Sequence, residues 1–570
     1  MLGLMQEVPL SIPMLVRRAR DLFPDKHVVS RRPDRSIGRA PYGDVIARSG
    51  RLALALRALG VAEGDRVATL AWNHQRHLEA YFAVPSMGAV LHTLNLRLHP
   101  TDLAYIIGHA EDQVILVDQV LWPLWEKVAP LVRVKHVIIM SDGGETPPGA
   151  IDYEALLSGS ADATFQFNDR DERTAAAMCY TSGTTGRPKG VLYSHRAIVL
   201  HTFMSLASDS AAIVERDVML PVVPMFHVNA WGFPFTTAFV GATQVHPGPH
   251  LDPASLLELM STERVTMAAG VPTIWLGILQ ALDAAPGRWD LSAMRMTLVG
   301  GAAPPESMIR GFKQRHGVVV QQGWGMTEMS PIGSVSRLQR KHDDIPEHEQ
   351  YHQLAKAGYP VPGVEIRARS ESGLLPWDGT SMGELEVRGP WVVREYYRPE
   401  DPITQFTDDG WFRTGDIVTI APDGCITITD RSKDVIKSGG EWVSSVALEG
   451  ALMGHAEVFE AAVVGLPHPR WSERPFAVVV RKPGAALDAD AVVAALKDRI
   501  ANFKVPKRAF VVDELPRNAM GKVQKNLLRE RPMLAPPSAS PTFDLSGDRS
   551  LQIEAQVYYL SGGQLGAFDW

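Results

Sequence analysis

Short apolar runs rich in valine, isoleucine and alanine alternate with longer segments of helical periodicity through about the first 430 residues. Such alternation predicts an α/β fold in which sheets and helices form layers. Three of the predicted strands run directly into loops, at Thr181, Gly300 and Gly323. Because ligands of open α/β sheets bind beyond the carboxyl ends of the strands, we expect these loops to meet in one crevice. The clearest runs are Arg66-Val-Ala-Thr-Leu-Ala71, Gln113-Val-Ile-Leu-Val117, His136-Val-Ile-Ile139, Met296-Thr-Leu-Val299 and Val318-Val-Val320.

The loop Thr181-Ser-Gly-Thr-Thr-Gly-Arg-Pro-Lys-Gly190 follows the apolar run Ala175-Ala-Ala-Met-Cys-Tyr180. Its small residues offer hydroxyls and backbone N–H groups to a polyphosphate, and Lys189 adds a mobile cation. The glycine spacing is neither that of a P-loop, which requires Gly-Lys-Ser/Thr, nor that of a dinucleotide-binding fingerprint. Taken alone, the loop also fits a flexible connection without a ligand.

The composition limits the class of protein. A chain of 570 residues is too long for one hydrophobic core, and its 45% hydrophobic and 21% charged residues are typical of globular proteins. There is no secretory signal pattern and no run of the roughly 18 to 20 apolar residues that span a membrane. Cys179 and Cys425 lack the spacing of a disulfide framework or zinc site, and the net charge of −7 disfavours nucleic-acid binding. We therefore expect a cytoplasmic enzyme.

The order Thr-Ser-Gly-Thr-Thr-Gly-x-Pro-Lys-Gly resembles the phosphate loop of the adenylate-forming enzymes, a superfamily that includes acyl-CoA synthetases, peptide-synthetase adenylation domains and beetle luciferases. Five further motifs of that superfamily have counterparts in the same order, so the resemblance covers residues from roughly 30 to 530. They are Gln322-Gly-Trp-Gly-Met-Thr-Glu328, Gly383-Glu-Leu-Glu-Val-Arg-Gly389, Trp411-Phe-Arg-Thr-Gly-Asp416, Asp430-Arg-Ser-Lys-Asp-Val-Ile-Lys-Ser-Gly-Gly440 and Pro516-Arg-Asn-Ala-Met-Gly-Lys522.

The resemblance implies an α/β fold with a large multilayer N-terminal domain and a small mobile α+β C-terminal domain. Residues 1–432 would bind ATP and the acyl group, and their segment Gly383 to Asp430 reads as an antiparallel β region that closes the large domain. Residues 433–530 would form a lid with its hinge at Lys433. The tail, residues 531–570, has no counterpart in the family. Homodimers are common among such enzymes, so a homodimer is a further expectation.

Activation of a carboxylic acid requires its oxygen to attack the α-phosphate of ATP, so the protein must neutralise charge and hold the reactants in line. By resemblance Glu328 and Thr184 hold Mg²⁺, and Lys522 stabilises the developing charge. Asp416 accepts the ribose hydroxyls, with Arg431 at the ribose or the α-phosphate. The full predicted nucleotide site is Thr181, Ser182, Gly183, Thr184, Thr185, Gly186, Lys189, Gly301, Ala302, Ala303, Pro304, Gln322, Gly323, Trp324, Gly325, Met326, Thr327, Asp416, Arg431 and Lys522.

The segment Pro224-Met-Phe-His-Val-Asn-Ala-Trp231 resembles the part of acyl-CoA synthetases that flanks the carboxylate. It implies a catalytic or gating role for His227, although a histidine on an apolar element is also often a core residue. Two tryptophans would shorten the pocket and favour short or medium acids over long ones. The predicted acyl pocket is His227, Trp231, Gly300, Trp324, Met329 and Pro331.

Coenzyme A is the third expected substrate, and after rotation of the small domain its thiol would attack the acyl-adenylate. The segment from Lys433 to Glu530 has 15 Lys and Arg against 12 Asp and Glu, which suits an anionic partner. Trp442 could equally be a packing residue. The predicted hinge and CoA side are Lys433, Lys437, Ser438, Gly439, Gly440, Glu441 and Trp442, with Glu473 and Lys525 as weaker candidates.

Together these features predict an ATP-dependent acid:CoA ligase that forms acyl-AMP and then acyl-CoA. The nearest resemblance is to the bacterial medium-chain acyl-CoA ligases, a group that includes ligases of 3-methylmercaptopropionate, and that acid is the first expectation. A general medium-chain fatty acid ligase is the alternative. A carrier-protein adenylation domain lacks support, because no carrier segment follows residue 530, and a luciferase-like oxygenase stays open. A non-catalytic sensor would be expected to have lost Lys522 or Glu328, and both are present.

Overall fold

The computed structural model describes residue 1 and residues 3–160, 164–181, 187–400, 402–438, 441–468, 471–496, 500, 504–506, 508–517 and 522–530. The predicted tail, residues 531–570, lies outside this range. The described residues divide into two compact units. The first comprises Met1–Thr414 and Thr419–Thr427, and the second comprises Gly415–Val418 and the described residues from Ile428 onward. The domain boundary after residue 432 and the hinge at Lys433 stay predictions.

The strands, in chain order, are β1 His27–Arg31, β2 Ile37–Pro41, β3 Arg66–Leu70, β4 Val90–Thr93, β5 Asp112–Asp118, β6 His136–Met140, β7 Ala150–Asp152, β8 Ala175–Tyr180, β9 Gly190–Ser194, β10 Val218–Pro221, β11 Thr243–His246, β12 Met267–Gly270, β13 Met296–Gly300, β14 Val319–Gly325, β15 Ile332–Val335, β16 Tyr359–Pro360, β17 Glu365–Ser370, β18 Gly373–Leu374, β19 Gly383–Arg388, β20 Phe412–Ile420, β21 Ile426–Arg431, β22 Ile436–Ser438, β23 Glu441–Val443, β24 Val458–His468, β25 Ser472–Arg481 and β26 Ala509–Val512.

The α-helices are α1 Ile12–Leu22, α2 Tyr42–Ala58, α3 Gln75–Ser86, α4 Pro100–Ala110, α5 Trp122–Val128, α6 Tyr153–Ser158, α7 His195–Leu206, α8 Val228–Trp231, α9 Phe233–Val240, α10 Pro253–Thr262, α11 Pro272–Ala284, α12 Glu306–His316, α13 Glu347–Leu354, α14 Ser445–Met453, α15 Ala489–Ala494 and α16 Lys525–Arg529. Short 3-10 turns occur at Gln119–Leu121, Ala129–Leu131, Thr327–Met329 and Arg340–His342. The element named α8 is a single left-handed turn.

Two large sheets form the core of the first unit. One has the strand order β16-β15-β14-β13-β12-β10-β11-β1-β2, and the other has β7-β6-β5-β3-β4-β8-β9. Within the former, β10, β12, β13 and β14 are parallel neighbours, with Gly300 paired to Gly323. Helices α10 to α12 cover this sheet through buried apolar side chains such as Trp275 and Phe312, whose rings meet edge to face. The α/β layering predicted from the sequence is confirmed.

Local hydrogen bonds determine where the phosphate loop begins and ends and where helix α7 begins. Strand β8 continues through the Thr181–Lys189 loop into antiparallel β9, with Tyr180 opposite Gly190. At the end of β9 the hydroxyl of Ser194 accepts a hydrogen bond from Ala197 N at 3.1 Å and so caps α7. The phosphate loop therefore connects two antiparallel strands, and the second of these strands leads into a capped helix.

The predicted antiparallel region, Gly383 to Asp430, supplies β19, β20 and most of β21 to a five-stranded sheet of order β18-β17-β19-β20-β21, in which β17 and β19 pair antiparallel. Its strand β19 carries the fully buried Glu386, whose carboxylate lies 2.5 Å from Arg367 Nε and 3.0 Å from Arg369 Nε. Arg413 Nε is 3.6 Å away. Burial strengthens these attractions, since water screens them little.

The second unit is built on a sheet of order β23-β22-β25-β24, with β26 paired to β25. Its apolar core includes Ile436, Leu448, Val463 and Val479, which join α14 to β22, β24 and β25. The side chain of Ser444 caps α14 by accepting a hydrogen bond from Ala447 N at 3.1 Å. This small α+β arrangement agrees with the fold class predicted for the C-terminal residues.

We predict that Glu386→Ala destabilises the first unit by about 3–5 kcal/mol, because it leaves the cations of Arg367 and Arg369 without their buried partner. Urea denaturation, followed through the transition of the large unit, measures the loss. Glu365→Ala on neighbouring β17 is the matched control, since its pair with Arg388 is exposed and is expected to contribute about 0–1 kcal/mol. Equal losses in the two variants would contradict this account.

Candidate active site

The base of the predicted phosphate loop is a closed hairpin. Thr181 N donates to Lys189 O at 2.9 Å, and Lys189 N donates to Thr181 Oγ1 at 3.1 Å. Lys189 Nζ lies 3.5 Å from Gln405 Oε1 and 5.0 Å from the centroid of the Tyr396 ring. The loop residues Ser182, Gly183, Thr184, Thr185 and Gly186 lie outside the described residues. The structure thus fixes the two ends of the loop and the position of its lysine.

Glu328 stands on the 3-10 turn that follows β14, and the turn is held by backbone contacts from both sides. Tyr193 on β9 donates its hydroxyl to Thr327 O at 2.7 Å, and Val393 N donates to Glu328 O at 2.8 Å. The glutamate is 7% exposed, and its Oε1 accepts a hydrogen bond from the Tyr396 hydroxyl at 2.7 Å. The strand after the phosphate loop and the strand before Glu328 are therefore tied together.

Tyr396 is a site residue that the sequence analysis missed. Its ring receives the ammonium of Lys189, while its hydroxyl binds Glu328. Burial raises the pKa of Tyr396 well above its ordinary value, and the nearby Glu328 carboxylate raises it further. The phenol therefore stays protonated as a donor. In the sequence, Tyr396 is marked only by the adjacent tyrosine, Tyr397. In the structure, Tyr397 N donates to Gly190 O at the end of the phosphate loop, which brings Tyr396 next to that loop.

The predicted adenine segment leaves β13 beside the motif on β14. Gly300 pairs with Gly323, and Gly301 turns the chain with a positive φ of 83° that favours glycine. Gly301 and Ala302 are exposed, Ala303 is half-buried and Pro304 is buried. Gln322 N donates to Ser336 Oγ at 2.8 Å, so the backbone of Gln322 belongs to the sheet. Gly323 to Met326 follow on the same edge, which brings both predicted nucleotide segments together.

The segment from His227 to Trp231 has unusual backbone geometry. His227 is half-buried and precedes the turn α8, in which Val228, Asn229, Ala230 and Trp231 all have φ between 44° and 55°. Left-handed conformation costs roughly 1–2 kcal/mol for each non-glycine residue. The turn carries the Trp231 indole onto Gly300, where an added Cβ would lie only 2.8 Å from Trp231 Cη2. Two predicted pocket residues, Trp231 and Gly300, are therefore in contact.

Buried polar side chains that the sequence analysis missed hold this turn. The amide of Asn73 donates to Pro221 O at 2.9 Å and Val223 O at 3.0 Å, and accepts from Met225 N at 2.7 Å. Asn229 Oδ1 accepts from Tyr81 at 3.4 Å and lies 3.7 Å from Cys179 Sγ. Asn73 lies about 150 residues before its partners, so no local pattern identifies it.

Trp324, Met329 and Pro331 lie together at the end of β14. The Trp324 ring and the Met329 methyl group both approach the position that a Cβ of Gly333 would occupy. The peptide bond between Ser330 and Pro331 is cis, and Pro331 O accepts from Met326 N at 3.1 Å. Trp324 and Met329 are buried, so this side of the predicted acyl pocket is apolar.

The second unit brings Asp416 and Arg431 together. Arg431 Nε lies 2.8 Å from Asp416 Oδ1, and the carboxylate is 3% exposed. The guanidinium holds the orientation of the carboxylate through a charge-assisted contact. This pairing is compatible with the predicted contact of Asp416 with the ribose, which stays a prediction.

Three predicted CoA-side residues are neighbours within the second unit. Lys437 N donates to Glu473 Oε2 at 2.8 Å, and Ser438 pairs with Ser472 next to Glu473. Lys433, Lys437 and Lys522 are exposed. The weaker candidate Lys525 lies elsewhere, with its ammonium 2.7 Å from Glu449 Oε1. Gly439, Gly440 and the side chains of Glu441 and Trp442 lie outside the described residues.

Neither cysteine is paired, and both Cys179 and Cys425 are buried. Among the described residues there is no group of three or more His, Cys, Asp or Glu side chains arranged to hold a metal ion. No helix in the described part of the chain is long and apolar enough to cross a bilayer.

Comparison with known proteins identifies the family. Residues 16–397 match the model of the AMP-binding enzyme family, and residues 447–522 match that of the AMP-binding enzyme C-terminal domain. The first match alone covers more than half of the chain. The chain belongs to the AMP-binding enzyme family. The sequence-based prediction of an adenylate-forming enzyme is thereby confirmed.

Three curated relatives are similar over almost the whole chain. A long-chain fatty acid–CoA ligase of Thermus thermophilus is 47% identical, covering 92% of this chain and 96% of its own. A 3-methylmercaptopropionyl-CoA ligase of Ruegeria lacuscaerulensis is 44% identical, with 93% and 98% covered. A medium-chain fatty acid–CoA ligase of Ectopseudomonas oleovorans is also 44% identical, with 93% and 97% covered.

A solved structure gives the same fold. The crystal structure of ATP-bound MatB from Rhodopseudomonas palustris has a TM-score of 0.76 and 31% identity, covering 91% of this chain and 98% of that one. The predicted fold class is confirmed, and so is the predicted enzyme class, an AMP-forming CoA ligase.

We predict that Gly300→Ala destabilises the protein by about 1–3 kcal/mol, because the new methyl group overlaps Trp231 Cη2 and lies 3.0 Å from Gly323 O. In a Trp231→Leu background the loss should shrink, which a double-mutant cycle of denaturation free energies measures. Gly108→Ala in α4 is the control, since an added Cβ there meets nothing within 4 Å and should stabilise by up to about 1 kcal/mol. The same loss in both backgrounds would exclude the indole as its cause.

Proposed function

We propose that this protein is an ATP-dependent acid:CoA ligase acting on a short- or medium-chain carboxylic acid, with 3-methylmercaptopropionate as the preferred substrate. The observation that carries the ATP chemistry is the convergence of Lys189 and Glu328 on Tyr396 at the base of the phosphate loop. It supplies a cation and a carboxylate, side by side, for a polyphosphate. Cytoplasmic location and homodimer formation stay predictions.

In the first step a carboxylate oxygen attacks the α-phosphorus of ATP, the bond to the bridging oxygen breaks, and pyrophosphate leaves with its electron pair. Lys189 and the loop hydroxyls, including Thr184, would bind the β- and γ-phosphates, and Lys522 would stabilise charge in the transition state. Asp416 would hold the ribose hydroxyls. His227 would lie on the carboxylate side of the acid.

In the second step the sulfur of CoA attacks the acyl carbon, AMP leaves, and the thiol proton passes to solvent or a base. The residues we assign to the CoA side include Lys437, Ser438 and Glu473, whose proximity within the second unit supports their grouping. Lys433 is assigned as the hinge. Gly439, Gly440, Glu441 and Trp442 complete this assignment by resemblance to the family.

Magnesium is expected to accompany ATP, and the residues fit it. Glu328 offers the hard oxygen donor that Mg²⁺ prefers, and Mg²⁺ commonly takes only one or two carboxylates beside phosphate oxygens and water. A single buried glutamate beside the phosphate loop therefore suffices. Glu328, with Thr184, would hold the ion, which would neutralise negative charge on the phosphates.

The choice of acid rests on the apolar side of the site. The Trp231 indole contacts Gly300, and Trp324 and Met329 pack against Gly333. The two indole rings would therefore shorten the acyl pocket beside the predicted adenine segment. A short thioether acid suits such a pocket. A relative that is 47% identical is named for long-chain acids, and one at 44% for medium-chain acids. A general medium-chain fatty acid ligase is therefore the alternative.

Acid-dependent AMP formation with ATP, Mg²⁺ and CoA tests the substrate. We expect 3-methylmercaptopropionate to give the highest kcat/KM in a series of straight-chain acids from acetate to dodecanoate. A maximum at about six to ten carbons would instead support the medium-chain alternative. Pentanoate, in which a methylene group replaces the sulfur of the thioether acid at the same chain length, is the matched control for the sulfur. AMP formation with none of these acids would contradict the pocket assignment.

We predict that Tyr396→Phe lowers kcat/KM for ATP by roughly tenfold or more, because a hydrogen bond to a charged group contributes about 1.5–3 kcal/mol. The ring that receives Lys189 stays in place, so the loss reports on the Glu328 contact. Isothermal titration with a non-hydrolysable ATP analogue, with and without Mg²⁺, should show that most of the lost affinity depends on Mg²⁺.

Tyr397→Phe is the matched control, since it makes the same chemical change one residue later, where the ring packs edge to face with His109. We expect it to keep nearly full kcat/KM for ATP. If both variants bind the analogue like the unaltered protein, the role assigned to the Tyr396 hydroxyl is wrong.

A further inference from the structure

Helix α16 begins three residues after Lys522 and carries two cations that bind acidic groups of the second unit. Lys525 opens the helix and Arg529 ends it. Arg529 Nη2 lies 2.9 Å from Asp434 Oδ1 and 3.5 Å from Lys433 O. The helix is thus attached at its far end to the segment in which the sequence predicts the hinge.

Lys525 forms a buried ion pair. Its side chain is 11% exposed and that of Glu449 is 15% exposed, with Nζ and Oε1 2.7 Å apart. Lys525 also donates to Ser445 Oγ, and Glu449 Oε1 accepts a second hydrogen bond from Val463 N at 2.8 Å. A lysine held in this way inside the unit is poorly placed to contact an external substrate.

The surroundings keep this ammonium charged. Asp430 is buried at the end of β21 and accepts a hydrogen bond from Ser445 N at 2.7 Å. Burial alone would lower the pKa of Lys525, but the negative charges of Glu449 and Asp430 outweigh it and raise the pKa above its ordinary value. The cation therefore joins α14, β21 and α16.

The backbone just before α16 is fixed as well. Gln524 N donates to Pro516 O at 2.8 Å, and Val523 pairs with Arg517 in an antiparallel bridge. Arg517 in turn binds Glu460 on β24. Lys522 directly precedes Val523, so its backbone is adjacent to this bridge and stands three residues before the Lys525 ion pair.

We propose that Lys525 is a positioning residue for Lys522 in acyl-adenylate formation, and not a contact for CoA. Through Glu449 and Ser445 it fixes the start of α16, and with it the backbone from which Lys522 extends. The proposal rests on the proposed function, in which Lys522 stabilises the adenylation transition state. It replaces the weaker CoA-side assignment of Lys525 with a role that its buried contacts favour.

The two half-reactions separate these roles. Acid-dependent ATP–pyrophosphate exchange measures adenylation, and release of CoA thioester from preformed acyl-adenylate measures the second step. We expect Lys525→Met to lower the kcat of adenylation at least tenfold, with KM for ATP changed less than threefold. The thioester step should change less than threefold. Lys525→Arg, which keeps the charge, should recover part of the adenylation rate.

A second variant distinguishes a loss of positioning from misfolding. Lys525→Met leaves Glu449 buried without a partner, so the double variant Glu449→Leu/Lys525→Met replaces the ion pair with apolar side chains. We expect it to keep its thermal unfolding midpoint near that of the parent and still to show the adenylation defect. Lys482→Met removes an exposed lysine of the same unit and should leave both half-reactions unchanged.

Normal adenylation by the folded double variant would overturn the positioning role, and a selective loss of thioester formation would restore the CoA assignment. The parent protein and Lys522→Ala are measured beside them. If the parent forms no acyl-adenylate from any acid tested, the proposed function fails. If the parent is active and Lys522→Ala adenylates normally, the role of Lys522 fails, and the positioning role of Lys525 fails with it.

Discussion

Parallel pairing of β13 with β14 is the constraint on which the site depends. Because Gly300 stands opposite Gly323, the chains that leave the two strands emerge side by side at one edge of the sheet. Strands β12 and β10 extend the same parallel row, so the segment that carries His227 and Trp231 leaves at that edge too. A shift of one residue in this register would turn the glycines and tryptophans to opposite faces. The parallel pairing of these strands therefore determines which loops lie together at the site.

The charged groups of the site are arranged through one aromatic side chain. Tyr396 receives Lys189 on its ring and gives its hydroxyl to Glu328, so a cation and a carboxylate remain near each other without forming a direct pair. The Tyr396 ring packs edge to face with Phe406, and Phe406 makes a tilted ring contact with Phe412. In our account, both charges are thereby held ready for phosphate oxygens and a metal ion, which lowers the reorganisation needed when ATP binds.

Much of the fold follows from local sequence pattern. The runs at Arg66, His136 and Met296 are strands whose bounds differ from the prediction by about one residue, because buried parallel strands consist of uninterrupted apolar residues. The predicted strand Val318–Val320 is longer in the structure and continues to Gly325. Gln321, Gln322 and the glycines have low strand propensity, but pairing on both sides overrides it.

The site was predictable only where family motifs carry it. Glu328, Asp416 and Lys189 lie in motifs, but the contact from Tyr396 to Glu328 joins residues 68 positions apart, and Asn73 reaches Val223 across 150 positions. Such pairs depend on the topology of the sheets. The left-handed turn at Val228 to Trp231 was also missed, since only Asn229 in it is a residue that favours positive φ. The burial of Lys525 against Glu449 joins residues 76 positions apart, so no local pattern indicates it.

The central claim is that a carboxylate oxygen of the substrate attacks the α-phosphate of ATP, and transfer of isotopic oxygen tests it most directly. The acid is supplied with ¹⁸O in its carboxylate, together with ATP, Mg²⁺ and CoA, and the products are analysed by mass spectrometry. Our account predicts that each AMP formed carries one ¹⁸O atom and that pyrophosphate carries none, because the bridging oxygen of the acyl-adenylate stays with AMP when CoA takes the acyl group. Unlabelled AMP, or label in pyrophosphate or inorganic phosphate, would contradict it.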